Sequence, residues 1–145
     1  MNRAARFVKR KPYNVAAQIV AMRRAYPQFT FVKSASDPRY ITFVGQVQAH
    51  PNLPVYTLKV AYRYRQAPRV QVVSPALVER PPHFYRDVRA LCLYHPRNFT
   101  WTKETLVADT ILPWAIGWVY FYEVWLQTGE WYGAEAAHEP VAGKE

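Results

Sequence analysis

The residues best suited to covalent chemistry lie close together in one segment of the chain. Cys92 is the only cysteine among 145 residues, with His83 nine residues before it and His95 three residues after it. A thiolate is a strong nucleophile, and a neighbouring imidazole can orient or deprotonate a reacting group. Positive charge lowers the pKa of a thiol, and the segment also contains Arg86, Arg89 and Arg97. We therefore expect Cys92 to be a nucleophile, the alternative being a small buried hydrophobic residue.

A metal centre is a second interpretation of these residues. His83, Cys92 and His95 can all bind zinc. However, the paired Cys-x-x-Cys spacing of many zinc sites is absent, and His138 or a carboxylate would have to complete the ligand set. The chain also lacks the Gly-x-Ser-x-Gly turn of serine hydrolases, and its five glycines form no phosphate-binding loop. We therefore expect no metal and no organic cofactor.

The residues before this segment predict one helix and a small antiparallel sheet. Apolar side chains recur at helical spacing over residues 12–26, with Pro12 or Asn14 at the start and Pro27 after the end. Four β-like runs follow, joined by short turns, and their succession is typical of an antiparallel meander. These runs cover residues 29–33, 40–48, 55–63 and 69–73.

The cysteine segment predicts a loop, and the residues after it predict helix. Residues 74–100 contain four prolines and show no periodicity, and a loop of this length is uncommon in a compact domain unless it is functional. Residues 103–127 predict a helix broken at Pro113, which suits the first turn of a second segment, and Gly129 is a stop signal. Aromatic residues expected to face the sheet recur there: Trp114, Trp118, Phe121, Tyr122 and Trp125. An N-terminal helix, a four-stranded meander, an active-site loop and C-terminal helices indicate an α+β fold.

Length and composition predict a single domain between two polar ends. A chain of 145 residues of which half are hydrophobic fits one domain with a substantial core. We assign residues 1–11 to a basic flexible arm, 12–132 to the domain and 133–145 to a polar tail. The pattern of a signal peptide is absent, the longest uncharged apolar run is too short to span a membrane, and one cysteine excludes an internal disulfide. We therefore expect a cytoplasmic protein that does not bind a membrane.

The net charge of +9 is distributed unevenly. Residues 1–103 hold 18 lysines and arginines against three acids, whereas residues 104–145 hold one lysine against seven acids. A basic body favours an acidic protein partner or a nucleic acid, and an ordinary solvated surface is the third interpretation. The arginines are scattered, and the aromatic residues cluster at helical core spacing in the acidic part. We therefore favour an acidic protein surface over nucleic acid as the partner.

The succession of elements resembles the ubiquitin-conjugating enzymes over roughly residues 12–127. In that family a helix precedes a four-stranded meander, and a proline-rich segment leads to a loop with the catalytic cysteine. An aliphatic residue, a tryptophan and a helix follow the cysteine. The corresponding residues here are Pro81-Pro82-His83, Leu91-Cys92-Leu93 and Trp101. The resemblance implies that Cys92 carries an acyl group as a thioester and needs no cofactor.

Two longer motifs are similar to a bacterial branch of this family that accompanies cyclic-nucleotide antiphage operons (CBASS). One is Leu91-Cys-Leu-Tyr-His-Pro96 followed by Trp101, and the other is tryptophan-rich and consists of residues 108–114 and 122–133. The resemblance implies that the enzyme holds the C-terminus of a cyclic-nucleotide synthase, a cGAS-like nucleotidyltransferase, as a thioester. It then passes this acyl group to an amine of an acceptor protein.

The chain departs from the family pattern at the group that stabilises the oxyanion. Eukaryotic members place a His-Pro-Asn triplet shortly before the cysteine, and its asparagine has that role. Here His50-Pro51-Asn52 lies forty residues before Cys92, so we interpret it as a turn. His83, a backbone N–H or Asn98 are the replacements that the sequence offers, and His95 and Trp101 are further candidates for support. The first alternative is a non-catalytic binding module of the same fold, with an inert Cys92, and the second is a basic nucleic-acid-binding domain.

Overall fold

The computed structural model describes residues 14–64 and 66–133. The arm predicted for residues 1–11 lies outside the described residues, as does the predicted tail apart from Gly133. Helix α1 spans Val15–Ala25, and the Asn14 side chain caps it by accepting a hydrogen bond of 2.9 Å from the backbone N–H of Ala17. A side-chain oxygen in this position satisfies an N–H that has no partner within the helix. Asn14 is therefore the helix start among the described residues, and Pro27 follows its end as predicted.

The four predicted strands form one antiparallel sheet in the order β1-β2-β3-β4. Strand β1 spans Thr30–Lys33, β2 Tyr40–Val47, β3 Tyr56–Arg63 and β4 Gln66–Ser74. In β3 the buried residues alternate with more exposed ones, because successive side chains of a strand point to opposite faces. The predicted meander is confirmed, and β4 is longer at both ends than the run of residues 69–73.

The segment predicted as a loop contains a two-stranded antiparallel ribbon. Strands β5 (Phe84–Tyr85) and β6 (Ala90–Leu91) pair through Phe84 with Leu91 and Tyr85 with Ala90. The ribbon lies against β4, where the Gln71 side-chain amide donates a hydrogen bond of 3.0 Å to the carbonyl of Val88. Strands of two residues are too short to show a periodic pattern, so no pattern of residue types predicted the ribbon.

Within residues 103–128 there is one helix rather than two. Helix α2 spans Ile111–Thr128, with Pro113 in its first turn, where the missing N–H costs nothing. It ends at Gly129, whose φ of 80° is the left-handed conformation typical of a helix C-terminus. The helix predicted for residues 103–110 is wrong. These residues form turns, in which Thr105 N–H bonds the Thr102 carbonyl and Asp109 N–H bonds the Leu106 carbonyl.

A buried glutamine of α1 explains why residues 103–110 are not helical. Gln18 is 1% exposed, and its amide donates a hydrogen bond of 2.8 Å to the Thr105 carbonyl. Its side-chain oxygen accepts one of 2.9 Å from the backbone N–H of Val107. Buried backbone groups need hydrogen bonds, and Gln18 supplies them to Thr105 and Val107. These residues therefore do not need the backbone hydrogen bonds of a helix. The amide clamp thus fixes the path from the cysteine segment into α2.

One hydrophobic cluster joins the helices, the sheet and the ribbon. From α2, Trp118 and Tyr122 are buried, and Tyr122 makes an edge contact with the ring of Tyr56 at 6.3 Å between centroids. The Tyr56 hydroxyl donates a hydrogen bond to the buried carboxylate of Glu123. Trp114 departs from the prediction that all these aromatic residues face the sheet, because it packs on Tyr94 and Phe99. Among the described residues, no helix is both long enough and apolar enough to cross a membrane.

Replacing Gln18 with alanine should destabilise the fold, because the Thr105 carbonyl and the Val107 N–H would lose their partners. A buried backbone group without a hydrogen bond costs about 1–3 kcal/mol. The measurement is the free energy of unfolding in urea. Gln28→Ala is the matched control, since Gln28 is exposed and donates one bond, to the Gln46 carbonyl. Equal losses in the two variants would contradict the clamp.

Candidate active site

Cys92 lies directly after β6, where the ribbon pairing extends by one further hydrogen bond. The backbone N–H of Cys92 donates to the carbonyl of His83 at 3.0 Å. This bond follows the pair Phe84 and Leu91 in the antiparallel register. The position of the cysteine backbone is therefore set by the ribbon rather than by a mobile loop.

The His83 carbonyl also connects the ribbon to helix α2. It accepts a second hydrogen bond of 2.9 Å, from the indole N–H of Trp118. His83 has a φ of 53°, a left-handed conformation that is uncommon outside glycine and persists only where its surroundings fix it. A single carbonyl thus links the cysteine backbone to a buried tryptophan on the helix behind it.

The thiol of Cys92 is almost enclosed by protein. Cys92 is 9% exposed, and its Sγ lies 3.2 Å from the hydroxyl of Tyr85 and 4.0 Å from the carbonyl of Tyr94. Burial raises the pKa of the Cys92 thiol, because it penalises the thiolate, and the bonds to Tyr85 and Tyr94 offset this only in part.

The expectation that nearby positive charge lowers the pKa of this thiol is therefore wrong. The side chains of Arg86, Arg89 and Arg97 are exposed to solvent, where water screens their charge. Desolvation of the sulfur is the largest effect on the pKa of Cys92. The three arginines are close to Cys92 in the sequence, but their side chains point into solvent.

A groove of about 520 Å³ lies between the tip of the β3–β4 hairpin and the ribbon, and Leu91 and Leu93, the neighbours of Cys92 in the chain, line it. Tyr85 and Tyr94 line it, and both also contact Cys92 Sγ. Arg63 and Arg69 line the hairpin side, whereas Asp87 lines the ribbon side. The volume is within the range of ~300–1,000 Å³ that is typical of ligand sites. Cys92 does not itself line the groove, which is separated from Sγ by Tyr85 and Tyr94.

The side chain of His83 packs on a tryptophan. Its ring centroid lies 4.6 Å from that of Trp131. Burial lowers the pKa of His83 to about 4, so the imidazole is neutral at neutral pH. The hydrogen bond from Cys92 to His83 runs from the backbone N–H to the backbone carbonyl and does not involve the imidazole. A role for the imidazole in proton transfer stays a prediction.

The supporting candidates on the C-terminal side of the cysteine have local roles. His95 Nδ1 accepts a hydrogen bond of 3.0 Å from the Arg97 N–H, and its carbonyl accepts one of 2.8 Å from the N–H of the exposed Asn98. The ring of Trp101 makes an edge contact with Tyr62 of the sheet at 6.4 Å between centroids. The contacts of Asn98 and Trp101 thus shape the segment and the core, and their assistance to catalysis stays a prediction.

Tyr85 is the residue of this site that sequence reasoning missed. It lies seven residues before Cys92, and its hydroxyl reaches Sγ because β5 and β6 are antiparallel. Once the register is known, Tyr85 is a diagonal neighbour of Cys92 across the ribbon. The only available sign was a tyrosine two residues after His83.

In residues 14–64 and 66–133, no group of three or more histidine, cysteine or acidic side chains is arranged to hold a metal ion.

The pKa of His83 predicts an acid-sensitive stability. The value is about 4 in the folded chain against an ordinary 6.5, so the unfolded chain binds more protons between these values. Stability should therefore fall as the pH drops from 6.5 to 4. His83→Asn should reduce this loss, because asparagine tolerates the left-handed backbone and has no such titration. Unfolding midpoints at pH 7 and 4.5 test it, with exposed His50→Asn as the control. An unchanged pH dependence in His83→Asn would contradict the assignment.

Comparison with known proteins agrees with the predicted family. The model of the family E2-CBASS, described as "Type II CBASS E2 protein", matches residues 18–139. That range includes the sheet, the ribbon, Cys92 and helix α2. No curated protein matches the chain significantly. The family match covers most of the chain, and the chain belongs to the type II CBASS E2 proteins, a ubiquitin-conjugating-like family of antiphage defence.

Proposed function

We propose that this E2 protein carries the C-terminus of another protein as a thioester on Cys92 and transfers it to an amine. The observation that carries the proposal is the placement of the cysteine. In a chain of the E2-CBASS family, the single cysteine is held by a backbone hydrogen bond at the end of the ribbon and lies beside a groove. A nucleophile must be fixed in this way for its attack to be well oriented.

The first step is acyl transfer to the sulfur. The Cys92 thiol loses its proton, the thiolate attacks an activated carbonyl, a carbon–sulfur bond forms and the leaving group departs. We propose that the carbonyl arrives already activated by a partner protein. Because burial raises the pKa of the thiol, little thiolate exists at neutral pH. The free enzyme is therefore slow to react with unrelated electrophiles.

The second step transfers the acyl group to an amine. The amine attacks the thioester carbon, the carbon–sulfur bond breaks, and the amine proton passes to a base, for which we propose the neutral His83 imidazole. Low exposure of Cys92 supports this step, because a site that excludes water protects a reactive intermediate from hydrolysis. We propose an amine of an acceptor protein as the attacking group.

The groove beside Cys92 supports a protein C-terminus as the carried group. An extended C-terminal segment could lie between the hairpin and the ribbon, with its last carbonyl at Sγ. Arg63 and Arg69 on the hairpin side favour carboxylates of the carried segment. The family description indicates other CBASS components as partners. We propose the cyclic-nucleotide synthase as the carried protein.

The proposal predicts a covalent adduct that depends on Cys92. Wild type, Cys92→Ser and Cys92→Ala are expressed with the CBASS proteins of the same operon and examined by intact-mass spectrometry. Wild type should give an adduct that hydroxylamine cleaves, and the serine variant should give a more stable ester. Cys92→Ala is the matched control and should give none. Equal adducts with wild type and the alanine variant would contradict the thioester.

The raised pKa of Cys92 also favours a second candidate, in which the fold is a non-catalytic binding module. A thiol that is buried and protonated can be an inert part of the core. In that case Cys92→Ala would retain antiphage activity, and wild type would form no adduct.

A further inference from the structure

The hydroxyl of Tyr85 is placed where charge develops during thioester chemistry. It lies 3.2 Å from Cys92 Sγ, within reach of a hydrogen bond to sulfur. In a tetrahedral intermediate on Cys92, the oxyanion is two bonds away from Sγ. A donor at this distance from the sulfur can therefore reach the oxyanion by a small rotation of its side chain, and such donors are effective at 2.7–3.1 Å.

The chemistry of Tyr85 suits a donor rather than a base. Burial and the neighbouring Cys92 raise the pKa of the Tyr85 hydroxyl, so it stays protonated at physiological pH. A phenolic hydroxyl can accept a hydrogen bond from the thiol and donate one to the thiolate, because its O–H rotates about the C–O bond. The same group can therefore serve the sulfur in both protonation states.

Tyr85 is also reachable from the groove. Its side chain lines the groove, and the residue is 47% exposed. Its backbone is fixed by the pairing with Ala90 in the ribbon. Of the other candidates for this role, the His83 ring packs on Trp131 and Asn98 lies in an exposed turn.

We propose that Tyr85 is a catalytic residue that donates a hydrogen bond to the Cys92 thiolate and to the oxyanion of the tetrahedral intermediate. It would replace the asparagine of the His-Pro-Asn triplet, which is absent from the residues shortly before the cysteine. This inference rests on the proposed thioester function. When the amine attacks, the carbonyl π electrons move to oxygen, where Tyr85 O–H stabilises them. They return as the carbon–sulfur bond breaks, and Tyr85 O–H then stabilises the departing thiolate.

The first test measures acyl transfer with a defined probe, the 2-mercaptoethanesulfonate thioester of N-acetyl-alanine. Intact mass follows acylation of Cys92 by thiol exchange, and free lysine is then added to measure transfer to an amine. Tyr85→Phe should slow transfer by on the order of 10²-fold, the lower end of the effect of removing one oxyanion donor. Tyr120→Phe is the control, because Tyr120 lies on α2 with 43% exposure and should react as wild type does.

The second test measures the thiolate without any acyl group. Alkylation of Cys92 by iodoacetamide is followed as a function of pH in the same three proteins. Loss of the Tyr85 donor should move the midpoint of the Tyr85→Phe profile to higher pH, because the thiolate is less stabilised. A purely structural role of the ring would leave this midpoint unchanged. Thermal unfolding shows whether Tyr85→Phe is folded under the conditions used.

The outcomes separate the two proposals. If wild type takes no acyl group from the probe or from its operon partners, the thioester function fails, and the alkylation profile still decides whether Tyr85 stabilises the thiolate. If wild type is acylated and Tyr85→Phe matches it in both tests, the role of Tyr85 is overturned while the thioester function stands. A shift of the alkylation profile with normal transfer overturns the oxyanion role.

Discussion

The candidate site depends on the backbone carbonyl of His83, which accepts hydrogen bonds from two parts of the chain. One donor is the N–H of Cys92, at the end of the ribbon, and the other is the indole of Trp118, on helix α2. Without this carbonyl, the Cys92 backbone would lose its hydrogen bond to His83, and Trp118 of α2 would lose its hydrogen bond to the ribbon. This arrangement requires the unfavourable left-handed backbone of His83. The packing of the His83 ring on Trp131 stabilises that conformation.

Burial of the sulfur gives the site two opposing properties. Enclosure of Cys92 raises the pKa of its thiol and lowers the population of the nucleophile. The same enclosure limits the access of water to anything bound to the sulfur. A protein that has to hold a thioester until an amine arrives gains from the second property more than it loses from the first, provided that a donor stabilises the thiolate when it forms.

The side chain of Gln18 fixes the residues between the cysteine and α2 by its hydrogen bonds to Thr105 and Val107. Its amide satisfies Thr105 and Val107, and so lets residues 103–110 lie against α1 as turns. Helix α2 therefore begins at Ile111, and Trp118 reaches the carbonyl of His83 from there. A helix through residues 103–110 would use those backbone groups within itself and would leave the clamp without partners.

The sequence by itself determined the meander, both ends of α1 and the C-terminal end of α2, because alternation, Asn14, Pro27 and Gly129 are local signals, and it indicated Cys92 as the candidate nucleophile. Only the tertiary structure decided the contact between Tyr85 and Sγ, the position of the His83 carbonyl and the pKa of the thiol. The bond that fixes the His83 carbonyl to α2 joins residues 35 positions apart. Tyr85 and Cys92 are only seven positions apart, but their contact depends on the register of the ribbon. Desolvation of the Cys92 thiol likewise depends on all the atoms packed around it. The spacing of residue types along the chain shows neither these contacts nor the burial of the sulfur.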